Sequence, residues 1–278
     1  MPMILDCAGK PLDLGTPRVM GILNVTPDSF SDGGCYQARE AALRQARRMV
    51  AEGAAIIDVG GESTRPGAAA VDVESELARV LPVIEALRDE LPVPVSIDTS
   101  KPEVMRAAVA AGAGLINDVR ALREPGALEA AADCGVPVCL MHMQGEPRSM
   151  QQDPSYRDVV AEVREFLEAR LATCEQAGIP RARLMVDPGF GFGKTLHHNL
   201  ALARGLDRLA RLGAPLLVGV SRKAMIGALL GDVPIEGRLH GSVAAALLAA
   251  ASGASVLRVH DVGPTVQALQ ILAAWRGS

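Results

Sequence analysis

Short apolar segments alternate with longer amphipathic segments along the whole chain. The apolar segments are of β-forming character and lie near residues 18–24, 54–59, 93–98, 113–118, 136–141, 183–187, 215–220 and 255–260. Helical periodicity occurs between them, for example over residues 38–52, 74–89, 102–111, 156–177, 198–212 and 242–251. This repeat predicts parallel strands joined by right-handed crossovers.

The number of strand–helix units favours a closed barrel. Eight units in 278 residues suit a single (β/α)8 TIM barrel better than an open sheet. Residues 3–16, with Gly9, Lys10 and Pro11 in the middle, predict a β-hairpin that caps the bottom of the barrel. No linker, charge run or low-complexity segment divides the sequence. The predicted organisation is therefore one α/β domain over residues 1–278.

Composition agrees with this fold and narrows the class of partner. Hydrophobic residues make up 49% of the chain and aromatic residues only 3%, as expected where aliphatic helices cover buried parallel strands. The net charge of −4 provides no basic field for nucleic acid or for an anionic membrane. The N-terminal segment does not look like a secretory signal, and no apolar run could span a bilayer. Five cysteines without a CxxC pair are expected to be reduced thiols of a cytoplasmic protein.

Polar side chains stand at the carboxyl ends of nearly all the predicted strands. In this architecture those ends form the face that carries active sites. The residues there are Asn24, Asp58 to Arg65, Ser96, Asp98, Asn117, Asp118, Met141, His142, Asp187, Ser221 to Lys223, Arg258 and His260. Helix capping explains an Asp, Asn or Ser at such positions, but it does not explain Lys223, Arg258 or His260. The pattern therefore predicts a functional site at this face.

Carboxylate and amide groups indicate what this site can recognise. Asp98, Asn117 and Asp187 suit a flat heterocycle with adjacent N–H donors, because unmet donors would be costly in a partly dry pocket. Lys223 could serve a carbonyl and a nitrogen on the opposite edge of the ring, although a lysine at a solvated helix start is an alternative. The amide oxygen of Asn24 could ligate Mg²⁺, which would otherwise be held by phosphate oxygens and water.

A second group of residues predicts an anion-binding rim. Arg65 follows the second strand, while Arg258 and His260 are two apart on the last strand and share one face. The last βα loops of this fold frequently bind phosphate. Ion pairs of the two arginines with Glu62 and Asp261 are a purely structural alternative.

The segment Asp187–Thr195 contains glycines followed by Lys194, which invites comparison with a phosphate-binding P-loop. The Walker spacing requires a glycine at the position of Pro188, so this interpretation is rejected. We expect instead a mobile loop that presents Phe192 to a substrate ring. Packing of Phe190 or Phe192 against the barrel rim is the alternative.

Together these segments resemble the dihydropteroate synthase family of the folate pathway, which sulfonamides inhibit. The resemblance covers almost the whole chain and is specific, because the motifs occur in order at predicted strand ends. They are GILNVTPDSF at 21–30, GESTRPG at 61–67, SIDT at 96–99, INDV at 116–119, MHM at 141–143, DPGFGFGK at 187–194, SRK at 221–223 and RVHD at 258–261.

The resemblance implies an activity, a cofactor and an oligomeric state. The activity is condensation of 6-hydroxymethyl-7,8-dihydropterin diphosphate with 4-aminobenzoate to give 7,8-dihydropteroate and diphosphate. The cofactor is Mg²⁺ on the diphosphate, and the assembly is a homodimer. Because diphosphate leaves readily once its charge is neutralised, we expect a dissociative reaction through a pterin cation, with Asp98 placed to stabilise that cation.

The resemblance also implies roles for individual residues, with functional loops at about 24–37, 60–72 and 187–197. The implied catalytic residues are Asp98, Lys223 and Arg65. The pterin is assigned to Asp98, Asn117, Asp187 and Lys223, with Met141 packing on the ring and Arg258 stacking over it. The diphosphate is assigned to Asn24, Thr64, Arg65, Arg258 and His260, with Asn24 as the metal ligand. The 4-aminobenzoate is assigned to Phe30, Arg65, Pro66, Phe192, Ser221 and Lys223.

Two other functions share part of this pattern. A methyltransferase that passes a methyl group from a methylated folate to a corrinoid protein could share the pterin contacts, but it does not need Arg65, Arg258 and His260 around a diphosphate. A non-catalytic pterin-binding paralogue would be marked by loss of a loop motif, and no motif is lost here. The Ala-rich helix at 242–252 is apolar around much of its circumference. Packing between barrel helices explains this helix by itself, and with the resemblance we expect a dimer interface there.

Overall fold

The computed structural model describes residues 3–25, 34–63, 70–146 and 149–277. The strands are β1 (Ile4–Cys7), β2 (Lys10–Asp13), β3 (Arg18–Asn24), β4 (Ile56–Gly60), β5 (Val95–Asp98), β6 (Leu115–Asp118), β7 (Val138–Met141), β8 (Leu184–Asp187), β9 (Leu217–Val218) and β10 (Val256–Val259). The helices are α1 (Gly34–Ala51), α2 (Val73–Glu90), α3 (Pro102–Ala111), α4 (Ala127–Cys134), α5 (Val159–Gln176), α6 (Leu196–Arg204), α7 (Leu206–Leu209), α8 (Ala224–Leu229), α9 (Leu239–Ala251) and α10 (Val262–Arg276).

Strands β3 to β10 form one parallel sheet that curls into a nearly closed barrel. Their order is β8-β7-β6-β5-β4-β3-β10-β9, and an isolated parallel bridge between Val186 and Leu216 joins the two edges. There the N–H of Val186 donates to the carbonyl of Pro215 at 3.0 Å. The predicted (β/α)8 barrel is confirmed.

The boundaries differ from the predicted ones where local packing intervenes. The strand expected at 215–220 is only two residues long, and the helix expected at 198–212 is broken at Gly205. A Cβ at Gly205 would lie 2.8 Å from the Val160 side chain, so close packing against α5 requires glycine there. Helix α5 begins later than expected, after Asp158, whose carboxylate caps the helix.

An apolar layer closes the bottom of the barrel. One residue from most of the barrel strands contributes to a buried cluster of Met20, Ile56, Leu115, Cys139, Met185, Leu217 and Val256. Leu5, Cys7 and Leu12 of the β1–β2 hairpin pack into the same cluster. Because Gly114 approaches the carbonyl of Cys7 too closely for any side chain, the hairpin lies directly against the barrel. The predicted capping hairpin is confirmed.

The polar site follows from the alternation of side chains along the strands. On four strands, the residue two positions after the one in the apolar layer is polar. These residues are Asp58, Asn117, Asp187 and Arg258. Residues two apart on a strand share a face, so these side chains point into the same barrel interior. The outward positions pack in a separate, larger core beneath the helices.

Two further expectations from the sequence concern the environment of the chain. Within the described ranges, Cys7, Cys134, Cys139 and Cys174 are free cysteines, as predicted. No helix of those ranges combines the length and apolarity needed to cross a membrane. The cytoplasmic location stays a prediction.

Candidate active site

The centre of the candidate site is a buried ion network around Arg258. Its Nε donates to Asp58 Oδ2 at 2.6 Å, and its Nη2 donates to Asp98 Oδ2 at 2.7 Å. Asp58, which is fully buried, also accepts a hydrogen bond from Asn117 Nδ2 at 3.2 Å. The network thus brings together side chains from β4, β5, β6 and β10.

The structural alternative for Arg258, an ion pair with Asp261, is wrong. Asp261 accepts from Arg222 Nε at 2.9 Å, whereas Arg258 turns into the barrel. Glu62, offered as the partner of Arg65, binds the ammonium group of Lys101.

Asp58 and Asp98 each keep one oxygen for a further donor. Asp58 Oδ1 and Asp98 Oδ1 are buried and lack a hydrogen-bond partner within the described part of the chain. Burial raises the pKa of Asp98 to about 7; Arg258 opposes this shift and Asp58 adds to it. An unmet buried acceptor costs free energy, so a ligand with N–H groups would relieve this cost. A cavity of about 750 Å³ borders Asp98, but its other walls come from residues such as Lys101 and Arg120 at the starts of neighbouring loops and helices, and Asn117, Asp187, Lys223 and Arg258 do not line it.

Asp187 and Lys223 form a second pair of charges in the interior. Asp187 ends β8, and its Oδ1 accepts from the N–H of Gly189 at 2.7 Å. Burial raises the pKa of Asp187, against the effect of Lys223. Burial also lowers the pKa of Lys223 to about 8, against the effect of Asp187. Lys223 does stand at a helix start, as the N-cap residue of α8. Its Nζ donates to the carbonyl of Phe190 and lies 4.7 Å from the centre of the Phe192 ring, so the ammonium group is not solvated as the alternative expected.

The loop after β8 has a backbone that only glycine permits. Gly189, Gly191 and Gly193 all have φ between +63° and +78°. A Cβ at Gly189 would collide with the carbonyl of His142, and one at Gly193 with the carbonyl of Gln144. The glycine motif therefore serves loop geometry and close packing, in agreement with the rejection of a P-loop.

Side chains hold the carbonyl groups of this loop. Every carbonyl from residue 189 to residue 193 accepts a side-chain hydrogen bond. The donors are Lys194 for Gly189 and Phe192, Lys223 for Phe190, Gln151 for Gly191, and Tyr156 for Gly193. The loop is thus fixed from several elements at once, and Phe190 is buried beneath it.

The remaining predicted residues that the structure describes lie at or just beyond the carboxyl ends of the barrel strands. Met141 is buried in an apolar cluster with Val119, Met143 and Met150, and the half-buried Phe192 packs against that cluster. This cluster provides an apolar wall on which a ring can pack.

Polar groups also lie at the carboxyl ends of β3, β9 and β10. Ser221 Oγ lies 3.1 Å from His260 Nδ1 and accepts from the N–H of His260 at 3.2 Å. Asn24 is half buried at the end of β3, where it pairs in register with Gly60, which in turn pairs with Asp98. Asn24 thus lies two strands from the buried carboxylate of Asp98.

Four predicted site residues lie outside the described residues. They are Phe30, Thr64, Arg65 and Pro66, together with parts of the functional loops expected at 24–37 and 60–72. Their assignments stay predictions.

Sequence reasoning placed some residues in the wrong environment. Asp118 stands at a strand end but points away from the barrel interior. Its carboxylate instead accepts from the N–H groups of Arg120 and Leu122 in the following loop, at 2.8 and 2.7 Å. His142 binds Lys194 rather than facing the opening. Conversely, the sequence pattern places Asp58 at a strand end and predicts no role for it. The alternation from Ile56 through Asp58 could have identified it, because an inward charge in mid-strand needs a partner.

Comparisons with known proteins agree with this site. Fold and site define a (β/α)8 barrel enzyme, and the model of the family described as pterin binding enzyme matches residues 20–260. The chain is 57% identical over 272 residues to the dihydropteroate synthase of Escherichia coli (strain K12), covering 98% of this chain and 96% of that protein. The chain belongs to the dihydropteroate synthase family, and the predicted family, enzyme class and reaction are confirmed.

Solved structures of this family superpose on the whole barrel. The Xanthomonas albilineans dihydropteroate synthase with 4-aminobenzoic acid is 57% identical, with a TM-score of 0.95 and 100% of both chains covered. The Yersinia pestis dihydropteroate synthase with a sulfonamide drug is 54% identical, with a TM-score of 0.94, over 99% of this chain and 100% of that chain.

The raised pKa of Asp98 predicts a pH dependence of stability. Between about pH 4, where an unfolded Asp titrates, and pH 7, the folded protein holds a proton that the unfolded chain has released. Stability from this group is therefore present below pH 4 and is lost as pH rises through 7. The unfolding free energy of the wild type should fall relative to that of Asp98→Asn between pH 4 and pH 8. Urea denaturation at several pH values measures this difference, and a constant difference would contradict the expectation.

Proposed function

We infer that the chain condenses 6-hydroxymethyl-7,8-dihydropterin diphosphate with 4-aminobenzoate to form 7,8-dihydropteroate and diphosphate. The observation that carries this conclusion is the buried network of Asp58, Asp98, Asn117 and Arg258, with its unpartnered carboxylate oxygens. A flat ring with several N–H donors satisfies such acceptors. The identity to dihydropteroate synthases favours this reaction over methyl transfer to a corrinoid protein.

The pterin ring would lie in the barrel mouth against the polar interior. Asp98 and Asp187 would accept from its N–H groups, the amide of Asn117 would donate to or accept from its ring atoms, and Lys223 would donate at the opposite edge. Met141 would pack on one face of the ring. The guanidinium of Arg258, fixed by its two carboxylates, would stack over the ring.

The diphosphate would lie at the rim. The donors proposed for it belong to Thr64, Arg65, Arg258 and His260. Ser221 orients the His260 ring through a hydrogen bond to Nδ1. His260 is proposed to contribute its imidazole ring to the anion site. Positive groups at this position favour departure of the diphosphate by stabilising its developing charge.

Mg²⁺ fits this site as a mainly substrate-held ion. Within the described ranges, no cluster of three or more His, Cys, Asp or Glu side chains could hold a metal. The amide oxygen of Asn24 is a hard donor beside the proposed diphosphate position, and Mg²⁺ commonly keeps waters and phosphate oxygens as its other ligands. When bound, the ion would neutralise charge on the leaving diphosphate.

The 4-aminobenzoate would occupy a pocket above the pterin. We expect this pocket to be lined by Phe192, Ser221 and Lys223. Its remaining walls are proposed to come from Phe30, Arg65 and Pro66. The C–O bond to diphosphate would break first, its electron pair leaving with the diphosphate. The amine nitrogen would then attack the exocyclic methylene carbon of the resulting pterin cation, and the amine would lose a proton to solvent. Asp98 would stabilise the intermediate pterin cation. Sulfonamides are proposed to compete for this pocket, in keeping with the drug complex of the Yersinia pestis relative.

A homodimer is also proposed, with α9 in its interface. Helix α9 buries Ser242, Ala246 and Ala249, yet its Leu248 is 68% exposed. On the neighbouring helix α10, Ile271 is 58% and Trp275 is 86% exposed. Large apolar side chains on adjacent helices support a shared interface.

The assay of turnover tests the proposed reaction. Purified protein given pterin diphosphate, 4-aminobenzoate and Mg²⁺ should release diphosphate together with dihydropteroate, and EDTA should abolish release. Chromatography of the pteroate product and a coupled diphosphate assay measure both. Tight pterin binding without turnover would indicate the non-catalytic paralogue instead.

The Lys223→Ala variant tests the proposed pterin contact. Loss of a charge-assisted hydrogen bond costs about 1.5–3 kcal/mol, so pterin diphosphate should bind about 10- to 100-fold more weakly. Isothermal titration calorimetry measures this change. The matched control is Lys10→Ala, since Lys10 binds the carbonyls of Arg88 and Leu91 by the bottom hairpin. Equal affinities of the Lys223 variant and the wild type would refute the contact.

Light scattering tests the proposed dimer. At micromolar concentration the particle mass should be about twice 29.0 kDa. Leu248→Arg should shift the protein towards monomer, because a buried unpaired charge is costly. The control is Ile4→Arg, which changes a side chain that is 57% exposed on the hairpin. A monomeric wild type would reject the dimer, and an unshifted Leu248 variant would remove α9 from the interface.

A further inference from the structure

The loop after β8 contains a buried lysine that the proposed reaction does not use. Lys194 is only 3% exposed. Its Nζ donates to the carbonyls of Gly189 at 2.9 Å and Phe192 at 3.1 Å, and lies 2.9 Å from His142 Nδ1. Burial lowers the pKa of Lys194 to about 7, against the effect of Asp187. In the protonated form all three N–H donors have an acceptor, which is what a buried cation requires.

His142 is suited to be one of these acceptors. Burial lowers the pKa of His142 to about 2, and the charge of Lys194 adds to this effect, so the imidazole is neutral. A neutral imidazole with its hydrogen on Nε2 accepts through Nδ1. The His142 ring is itself fixed edge-on to Phe166, with the ring centres 4.9 Å apart. Lys194 therefore ties the loop to a rigid position beyond the end of β7.

The same loop determines where Lys223 lies. Phe190, whose carbonyl accepts from Lys223, is enclosed between the two residues whose carbonyls accept from Lys194. The ring of Phe192 lies 4.7 Å from the Lys223 ammonium. Gly189 has a positive φ and approaches a neighbouring backbone closely. Because glycine has little conformational preference of its own, the shape of the loop depends on its contacts with side chains.

We propose that Lys194 is a positioning residue, which fixes the turn at residues 189–192 and thereby orients Lys223 towards the substrate ring. This rests on the proposed contact of Lys223 with the pterin. Lys194 itself would not contact substrate. Its effect on binding would be transmitted through the carbonyl of Phe190 and the ring of Phe192.

A double-mutant cycle tests whether Lys194 acts through Lys223. The variants are Lys194→Met, Lys223→Ala and the double variant, with affinity for 6-hydroxymethyl-7,8-dihydropterin diphosphate measured by calorimetry. Lys194→Met should weaken binding about tenfold in the wild-type background but less than about twofold in the Lys223→Ala background, because coupled residues are non-additive. Multiplicative losses would overturn the proposal, since a merely structural role would weaken both backgrounds alike.

Two further variants keep the test decisive. If Lys194→Met does not fold, His142→Phe removes one acceptor of Lys194 and keeps an aromatic ring against Phe166. It should weaken binding about threefold in the wild-type background only, again by coupling through Lys223. Equal losses in both backgrounds would overturn the proposal.

Tyr156→Phe is the matched control for general loosening of the loop. It removes the 2.8 Å hydrogen bond to the carbonyl of Gly193 and leaves both lysines in place. We expect a change below about twofold, and a loss equal to that of Lys194→Met would overturn the proposal. A wild type that neither binds nor turns over the pterin diphosphate would instead refute the proposed function, so the two failures are distinguishable.

Discussion

The guanidinium of Arg258, held between Asp58 and Asp98, organises the carboxyl end of the barrel. Removing ions from water costs several kcal/mol each, and the cost is met only while the charges stay together. Arg258 and Asp58 are 200 residues apart in sequence, so the contact joins the last barrel strand to the second. The same contact leaves one oxygen on each carboxylate for a ligand. Integrity of the site and recognition of the ligand therefore depend on the same charges.

Burial shifts three ionisable groups of this interior, Asp98, Asp187 and Lys223, towards their neutral forms, whereas the neighbouring carboxylates raise the pKa of Arg258. It raises the pKa values of Asp98 and Asp187 and lowers that of Lys223, while the opposite charges resist these shifts. A substrate that offers N–H donors to the carboxylates and acceptors to the lysine would replace the missing water. The site is thus prepared for a polar, flat ligand whose hydrogen-bonding groups lie on its edges.

The loop after β8 is held by side chains from several elements of the barrel. Its carbonyl groups bond to side chains, and its three glycines adopt conformations that other residues avoid. Lys194 and Lys223, which belong to different segments, hold neighbouring carbonyls of one turn. Rigidity of this kind depends on the surrounding elements and would be lost if the loop were removed from the barrel.

The sequence by itself determined the barrel, its hairpin cap and the face that carries the site. Periodicity reports which side chains are buried, and strand ends in a parallel barrel must meet at one rim. The motifs then identified the family. Asp98, Asn117 and Arg258 could be assigned to one site on these grounds.

Only the tertiary structure decided which charges pair and which way strand-end residues face. In the structure Arg258 pairs with Asp58 and Asp98 rather than with Asp261, and Asp118 points away from the barrel interior. It also revealed Lys194 as the centre of its loop. These outcomes depend on distances between segments far apart in the chain. Periodicity along one segment carries no information about them, because partner choice is decided by three-dimensional packing and desolvation.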